Sequence, residues 1–282
     1  MTLTGAGKLA GVMGWPVAHS RSPALHGFWL DEYRIDGAYV PLPVKPENLH
    51  RVLHTLPMMG FAGCNITLPL KEDAMRAVDE CDASARRAGA VNTVVVQPRG
   101  TLLGRNTDIF GFLENLRAGE AGWRAAAGPA VVLGAGGAAR AVVAALIDEG
   151  APEIRLVNRT PERAAALAKA LGGPVRGIAW AERDKALADA ALLVNATSLG
   201  MHGQPPLELS LAALPASAVV NDIVYVPLET PLLAAARARG NPCVDGLGML
   251  LHQGRPGFAA WFGVMPEVTP ELRRAMIATL AA

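Results

Sequence analysis

The sequence predicts an α/β fold of two domains, and three observations carry that expectation. Residues Val131–Arg140, VVLGAGGAAR, join a short apolar run to a glycine cluster and then to an apolar helical stretch ending near Gly150. On either side, short apolar strands alternate with helical periodicities, as in a mostly parallel sheet covered by helices. Hydrophobic residues make up 51% of the chain and aromatic ones only 5%, which suits Ala-rich helices lying close on a sheet. At 282 residues the chain has length for one large or two ordinary domains.

In order, Lys8–Trp15 reads as a first strand, followed by the loop PVAHSRSP and a short helix over Leu25–Tyr33. Ala38–Val44 is a second strand, and Lys45–Met59 carries a helical pattern through Leu49, Val52, Leu53 and Leu56. Phe61–Leu68 is a third strand ending at Pro69, with a helix over Lys71–Val78. Gly89–Gln97 and Thr101–Leu103 pair as a hairpin around Pro98–Arg99–Gly100. Asn106–Thr107–Asp108 then opens a helix through Ile109, Phe112, Leu113 and Leu116, with Thr107 or Asp108 as its cap.

The glycine unit comes next. Val131, Val132 and Leu133 form the strand; Gly134 makes the tight turn, Gly136 admits close backbone approach to a pyrophosphate, and Ala139 lets helix meet strand. The helix start offers free N–H groups and a positive dipole end to phosphates. A plain strand–helix turn is the alternative. The following strand, Ile154–Val157, ends in Asn158–Arg159–Thr160, where an NAD-binding unit usually carries an acidic residue for the ribose 2′-hydroxyl. Arg159, with Arg163 one turn on, would instead attract a 2′-phosphate, which favours NADP over NAD. Thr160 and Pro161 also read as an ordinary helix cap and first turn, and both readings can hold together. Strands at Val175–Ile178, Leu192–Asn195 and Val219–Asp222 continue the unit. After Asp245–Gly246–Leu247–Gly248 the chain is helical over Met249–Phe262 and from Pro270 to the end.

A net charge of +1 gives no electrostatic case for nucleic acid or a membrane surface. Cys64, Cys81 and Cys243 are widely spaced and read as buried thiols in a reducing compartment. With no signal peptide and no apolar run long enough to span a bilayer, a cytoplasmic protein is expected. His50 and His54 have i, i+4 spacing, but no third ligand supports zinc, so no metal is expected.

Taken together, HSRSP (with Ser20 and Ser22), NITLPLK (Asn65–Lys71), AGAVNT (Ala88–Thr93) and GRNTD (Gly104–Asp108) form the first half of a motif series. GAGGAAR, NRT, NATSLGM (Asn195–Met201), DIVYVPLETPLL (Asp222–Leu233) and DGLGMLLHQ (Asp245–Gln253) complete it. In order and spacing the chain resembles the shikimate dehydrogenase family from His19 to Gly263. The resemblance implies a substrate domain of residues 1–107 and 244–282, a Rossmann NADP-binding domain of 108–243 inserted in it, and an active site in the interdomain cleft.

It further implies NADPH-dependent reduction of 3-dehydroshikimate to shikimate, a step toward chorismate and the aromatic amino acids, in a monomer or homodimer. Such a reduction needs a hydride donor over the carbonyl carbon, a proton for its oxygen, and groups that hold the substrate. The resemblance gives the proton to Lys71 with Asp108 beside it, a pair expected to act as one coupled unit. Ser20 and Ser22 alternate around Arg21, so both hydroxyls can face one side; with Tyr225 they would take the ring carboxylate. Asn65, Thr67, Asn92, Asp108 and Gln253 would take the hydroxyl and ketone end. The cofactor residues so implied are Gly134, Ala135, Gly136, Gly137, Ala138, Asn158, Arg159, Thr160, Arg163, Ala196, Thr197, Ser198, Ile223, Gly246 and Met249. Met249 reads equally well as helix core.

Departures are few. Leu70 stands where many relatives carry an aromatic and Gly27 where Asn is common. Gly254, Pro256 and Gly257 predict a kink after Gln253 that would alter the outer wall of the substrate pocket. The alternatives are a relaxed shikimate/quinate dehydrogenase using NAD and, from another class, a catalytically silent NADP-binding regulator. A regulator should have lost Lys71 or Asp108; both are present. A folate-linked dehydrogenase would need a larger, more apolar pocket.

Overall fold

In the computed structural model, which describes residues 3–280, the chain begins with β1 (Lys8–Gly14), α1 (Ser22–Glu32), β2 (Gly37–Pro43), α2 (Leu49–Leu53) and β3 (Phe61–Ile66). It continues through α3 (Lys71–Ala77), β4 (Glu80–Cys81), α4 (Ala83–Ala88), β5 (Thr93–Val96) and β6 (Leu102–Arg105). These strands form one sheet in the order β2–β1–β3–β5–β6–β4. β1 is parallel to β2 and β3, β4 is parallel to β6, and β5 is antiparallel to both its neighbours. Leu53, Leu56, Ile66, Leu70, Ala74 and Leu102 fill the core beneath it.

Local chemistry accounts for the differences from expectation. The helix expected over residues 45–59 is broken into a 3₁₀ turn at Pro46–Asn48, the five-residue α2, and a second 3₁₀ turn at Pro57–Met59. Each proline lacks the N–H that would continue an α-helical ladder, although Leu49, Leu53 and Leu56 still reach the core. β4 and α4, absent from the sequence reading, are too short to show a period. Asp82 starts α4 by accepting from the Ala85 N–H at 2.9 Å. The expected hairpin forms with Val96 opposite Leu102, and Gly100 supplies the positive φ of +80° that its turn needs.

The middle of the chain supplies α5 (Asp108–Gly119), β7 (Ala130–Leu133), α6 (Gly137–Asp148), β8 (Ile154–Asn158), α7 (Pro161–Leu171) and β9 (Val175–Ala179). β10 (Leu192–Asn195), β11 (Val219–Asp222), α8 (Pro231–Ala238) and β12 (Cys243–Val244) follow. All pairings in this sheet are parallel, in the order β12–β11–β10–β7–β8–β9. Counted from β7 as strand 1, that is 3-2-1-4-5-6, the doubly wound dinucleotide-binding order, with its reversal between β7 and β10. Val132, Val142, Val143, Leu146, Leu156 and Val194 are among its core residues.

Two helices close the chain, α9 (Leu247–Phe262) and α10 (Pro270–Ala278). α9 is one continuous helix that includes Pro256. Its glycines answer packing. A Cβ on Gly254 would press on Leu25 and Trp29 of α1 at 3.0–3.3 Å, and one on Gly257 would meet the Trp261 ring at 2.9 Å. The helix expected from Pro270 to the chain end stops at Ala278, and residues 281–282 of that expectation lie outside the described residues. Packing divides the chain into two units, residues 1–108 with 250–282, and residues 109–249. The sequence reading puts the breaks after 107 and 243. Among the thiols only Cys64 is buried; Cys81 and Cys243 sit half-buried, in two-residue strands that cannot cover them fully. Among the described residues no helix is long and apolar enough to cross a membrane.

Candidate active site

In the first unit, three chain segments are pinned together by backbone hydrogen bonds. The Val91 N–H donates to the Lys71 carbonyl at 2.9 Å, tying the start of α3 to the approach to β5. Asn92 N–H donates to Arg105 C=O at 3.0 Å, and Ile66 N–H to Asn92 C=O at 2.8 Å. Asn106 fixes the start of α5, donating through Nδ2 to Ala90 C=O and accepting from the Asp108 N–H, both at 3.0 Å. Lys71 and Asp108 therefore begin two helices that start side by side.

Lys71 Nζ donates to Asp108 Oδ2 at 2.6 Å, with side-chain exposures of 16% and 7%. The aspartate thus stands in the first turn of α5, where the helix dipole favours a carboxylate. Lys71 likewise opens α3, where the positive end of the helix dipole disfavours a cation, and the ion pair offsets that. Asp108 Oδ1 accepts from Asn92 Nδ2 at 2.8 Å, so both carboxylate oxygens are held. The second Asn92 amide hydrogen goes to Thr107 Oγ1 at 3.0 Å, while its Oδ1 accepts from the Thr107 N–H at 2.8 Å and from Thr93 Oγ1 at 3.0 Å. Gln253 of α9 presents Oε1 at 3.5 Å from both Asn92 Nδ2 and Thr107 Oγ1.

Asn65, buried on β3, donates through Nδ2 to Asn92 C=O and to Thr93 Oγ1, each at 3.1 Å, and accepts at Oδ1 from the Tyr39 hydroxyl at 2.6 Å. Lys71, Asp108, Asn92, Asn65 and Gln253, all expected from the sequence, thus belong to one hydrogen-bonded group. Ser22 is buried at the start of α1, and its N–H donates to Ser20 Oγ at 3.3 Å. Thr67 is half-buried just past β3, its N–H bonded to Met13 C=O at 2.9 Å. Gly14 is glycine because a Cβ would collide with the Thr67 side chain. Tyr225 lies in the second unit, half-buried beyond β11.

The second unit carries the glycine turn. Gly134 has φ +105°, and a Cβ there would stand 2.9 Å from Ala196 O and 3.1 Å from Thr197 Cγ2 on the neighbouring strand's loop. Tight turning and close approach both demand glycine. A Cβ on Gly136 would meet no protein atom within 4 Å, so the start of α6 is open there to the close approach of a phosphate. Gly137 and Ala138 open that helix, with Ala135 in the turn before it. Ala139 is fully buried between helix and sheet.

Arg159 and Arg163 are exposed around the start of α7, and Asn158 Nδ2 donates to Thr160 C=O at 2.9 Å. Thr160 occupies the cap position, but its hydroxyl makes no cap bond; the helix is entered through Pro161. This set of residues fits a dinucleotide with a phosphate on its ribose: a glycine cradle, a helix start and two free-standing guanidiniums.

A buried carboxylate locks the loops after β10 and β11. Asp222 Oδ1 accepts from Asn195 Nδ2 at 2.9 Å and from the Val224 N–H at 3.0 Å, and Oδ2 accepts from Thr230 Oγ1 at 2.7 Å. Burial pushes its pKa up to about 6, against the pull of those donors. Asn195 Oδ1 in turn accepts from Thr197 N–H and Oγ1, at 3.1 and 2.7 Å. Ala196, Thr197, Ser198 and Ile223 thereby hold fixed positions at strand ends. Gly246 packs on the Ile223 carbonyl, too closely for a Cβ. Met249 is buried in the core of this unit.

Other singled-out residues have structural occupations. His54 Nε2 lies 3.0 Å from Ala77 C=O at the end of α3, and His50 packs against His54 at 4.5 Å between ring centroids. Leu70 is fully buried, and a Cβ on Gly27 would meet nothing. Three members of the polar group have no site role expected from the sequence, Thr93, Thr107 and Tyr39. A tyrosine inside an apolar strand was the available signal, because a buried phenol needs a hydrogen-bond partner.

Residues 12–94 match the family model of the shikimate dehydrogenase substrate-binding domain, and residues 121–202 match that of shikimate / quinate 5-dehydrogenase. The chain is 65% identical over 271 residues to the shikimate dehydrogenase (NADP(+)) of Paramagnetospirillum magneticum, covering 96% of this chain and 98% of that one. It superimposes on a shikimate dehydrogenase solved with NADP+ at a TM-score of 0.90, with 33% identity and coverage of 99% and 98%. The Thermus thermophilus enzyme, solved with NADP(H) and shikimate, gives 0.84 with 40% identity and coverage of 97% and 98%. With its polar group, its glycine turn, its strand order and near-full-length identity to these proteins all in agreement, the chain belongs to the shikimate dehydrogenase family.

Proposed function

We propose that the protein reversibly reduces 3-dehydroshikimate to shikimate with NADPH, using Lys71 and Asp108 as its acid–base pair. The observation that carries the proposal is the 2.6 Å Lys71–Asp108 contact, with the other carboxylate oxygen held by Asn92. NADPH, when bound, supplies the hydride. Lys71 Nζ holds a proton to give to the carbonyl oxygen on reduction, and takes it from the hydroxyl on oxidation. A positioned group of this kind contributes roughly 10²- to 10⁴-fold. Asp108 keeps the ammonium in place and balances its charge through each transfer.

Asn92 acts chiefly on Asp108, because both its amide hydrogens are already engaged by Asp108 and Thr107. Asn65, Thr67 and Gln253 present the remaining polar atoms to the ring hydroxyls and ketone. Ser20 and Ser22 take the carboxylate; Tyr225 joins them on the resemblance alone. In the second unit, Gly134, Gly136 and the start of α6 receive the pyrophosphate, and Arg159 and Arg163 the 2′-phosphate. The domain roles follow, with substrate chemistry in residues 1–108 and 250–282 and cofactor binding in 109–249.

The test is absorbance of NADPH formed from shikimate, run beside quinate and NAD. Shikimate with NADP should be fastest. A quinate rate close to the shikimate rate would replace the proposal with a relaxed shikimate/quinate dehydrogenase. NADP binding with no turnover of either acid would leave a silent regulator.

A further inference from the structure

The buried polar group does not end at Asn65. Tyr39, on β2, has its hydroxyl 2.6 Å from Asn65 Oδ1. The Asn65 amide can face only one way. Its Nδ2 points at the Asn92 carbonyl, which can only accept, so Oδ1 must face Tyr39, and the phenol must donate. Burial keeps that phenol well above its ordinary pKa, so the proton it donates stays in place.

From Tyr39 the donors all run in one sense. Tyr39 donates to Asn65, Asn65 to Thr93, Thr93 to Asn92, and Asn92 to Asp108. Such a chain polarises each bond in the same direction.

The ring itself is clamped. His26 stacks on Tyr39 with centroids 3.9 Å apart and planes 5° from parallel, and Trp29, Phe258 and Trp261 enclose the imidazole. Burial drives His26 down to about 3, against a weaker opposing pull from the nearby Asn65 side chain. By geometry, neither imidazole nitrogen makes a hydrogen bond among the described residues, so it serves as a neutral flat surface for the phenol ring.

Both Asn65 amide hydrogens are engaged, and one of its two oxygen lone pairs is taken by Tyr39. By geometry the other lone pair has no partner among the described residues. Resting on the function proposed above, we infer that Tyr39, clamped by His26, is a positioning residue that holds the Asn65 oxygen in place; with both amide hydrogens spent on Asn92 and Thr93, this subsite selects a hydroxyl that donates.

The experiment is steady-state kinetics of Tyr39→Phe, which keeps the stacked ring and removes only the hydroxyl. KM for shikimate should rise about tenfold, the loss expected for one hydrogen bond, with kcat within about twofold and KM for NADP unchanged. Shikimate analogues each lacking one ring hydroxyl supply the second readout. In the unmodified protein one of these deletions carries the penalty for leaving Asn65 unanswered, and in Tyr39→Phe that one penalty should shrink about tenfold while the others hold. An unchanged KM, or analogue penalties that all stay the same, overturns the inference. So does a loss spread evenly over kcat and both KM values, which marks a merely structural role.

Should Tyr39→Phe not fold, His26→Leu removes the stack and leaves the hydroxyl. It should raise KM for shikimate in the same direction, and an unchanged KM overturns the clamp. An unmodified protein that makes no NADPH from shikimate overturns the proposed function and this inference together. An active one with unaltered variants overturns only the inference.

Discussion

Lys71 and Asp108 carry different burdens in the same contact. Asp108 is held from two sides, by the ammonium and by Asn92, whereas the lysine ammonium has the carboxylate to hold it and solvent on its open side. Replacing Lys71 with Ala or Asp108 with Ala should each lower turnover at least about 100-fold, since either change removes the positioned proton carrier or its partner. Circular dichroism should show both variants folded, and near-normal turnover in either would remove that residue from the mechanism. Arg159 governs a different quantity. A charge-assisted contact to a phosphate is worth roughly 1.5–3 kcal/mol, so Arg159→Ala should raise KM for NADP about tenfold or more and leave that for NAD alone. Parallel loss with both cofactors would mean that the guanidinium does not read the 2′-phosphate.

At the level of elements, the glycine turn after β7 separates folding from binding within three residues. Gly134→Ala forces a side chain into positive φ and against the Ala196 carbonyl, and should destabilise the protein by about 1–3 kcal/mol. Gly136→Ala meets no protein atom, so its thermal midpoint should hold while its Kd for NADPH, read by fluorescence titration, rises at least about tenfold. Equal NADPH affinity in Gly136→Ala and the unmodified protein would mean that no phosphate approaches there.

The same scale shows what a period can and cannot reveal. α6 and α9 are long enough to display one, and the strands of the second sheet are apolar runs bounded by polar ends. α4 has six residues and β4 two, too few for any pattern. In residues 45–59 the apolar spacing is real, but prolines at 46 and 57 decide how much of it is helix. Pro256 shows the converse. It lies inside a continuous helix, where the glycines at 254 and 257 let α1 and the Trp261 ring close in.

Across the whole molecule, two buried groups make acid act on the two units in opposite senses. Unfolded, the His26 imidazole takes a proton below about pH 6.5; folded, it refuses one until about 3. Stability contributed by the first unit is therefore complete above 6.5 and declines as pH falls, by about 3 kcal/mol at pH 4.5. Asp222 behaves in reverse. Its folded value near 6 exceeds the unfolded 3.8, so the second unit is favoured as pH falls through 6 toward 4, and that gain is lost as pH rises again. Urea midpoints at pH 7 and 4.5 test both. His26→Phe should lessen the acid-induced fall and Asp222→Asn should deepen it; a His26→Phe profile parallel to the unmodified one would refute the first.

The sequence by itself determined the α/β class, the dinucleotide turn and the arginines beyond β8; Lys71 and Asp108 stood in it as a pair only through the family resemblance. Each is written in short contiguous motifs, where residue type and immediate neighbours fix the local geometry. Asn65, Asn92 and Gln253 were legible as members of such motifs, but not as one connected group. Only the tertiary structure decided that Asn92 spends its amide on Asp108, that Gly14 makes room for Thr67, and that Tyr39 answers Asn65. Those contacts join residues 16 to 53 positions apart. Hydrogen-bond direction there depends on which carbonyl faces which amide, and sheet pairing, which no local pattern encodes, sets that.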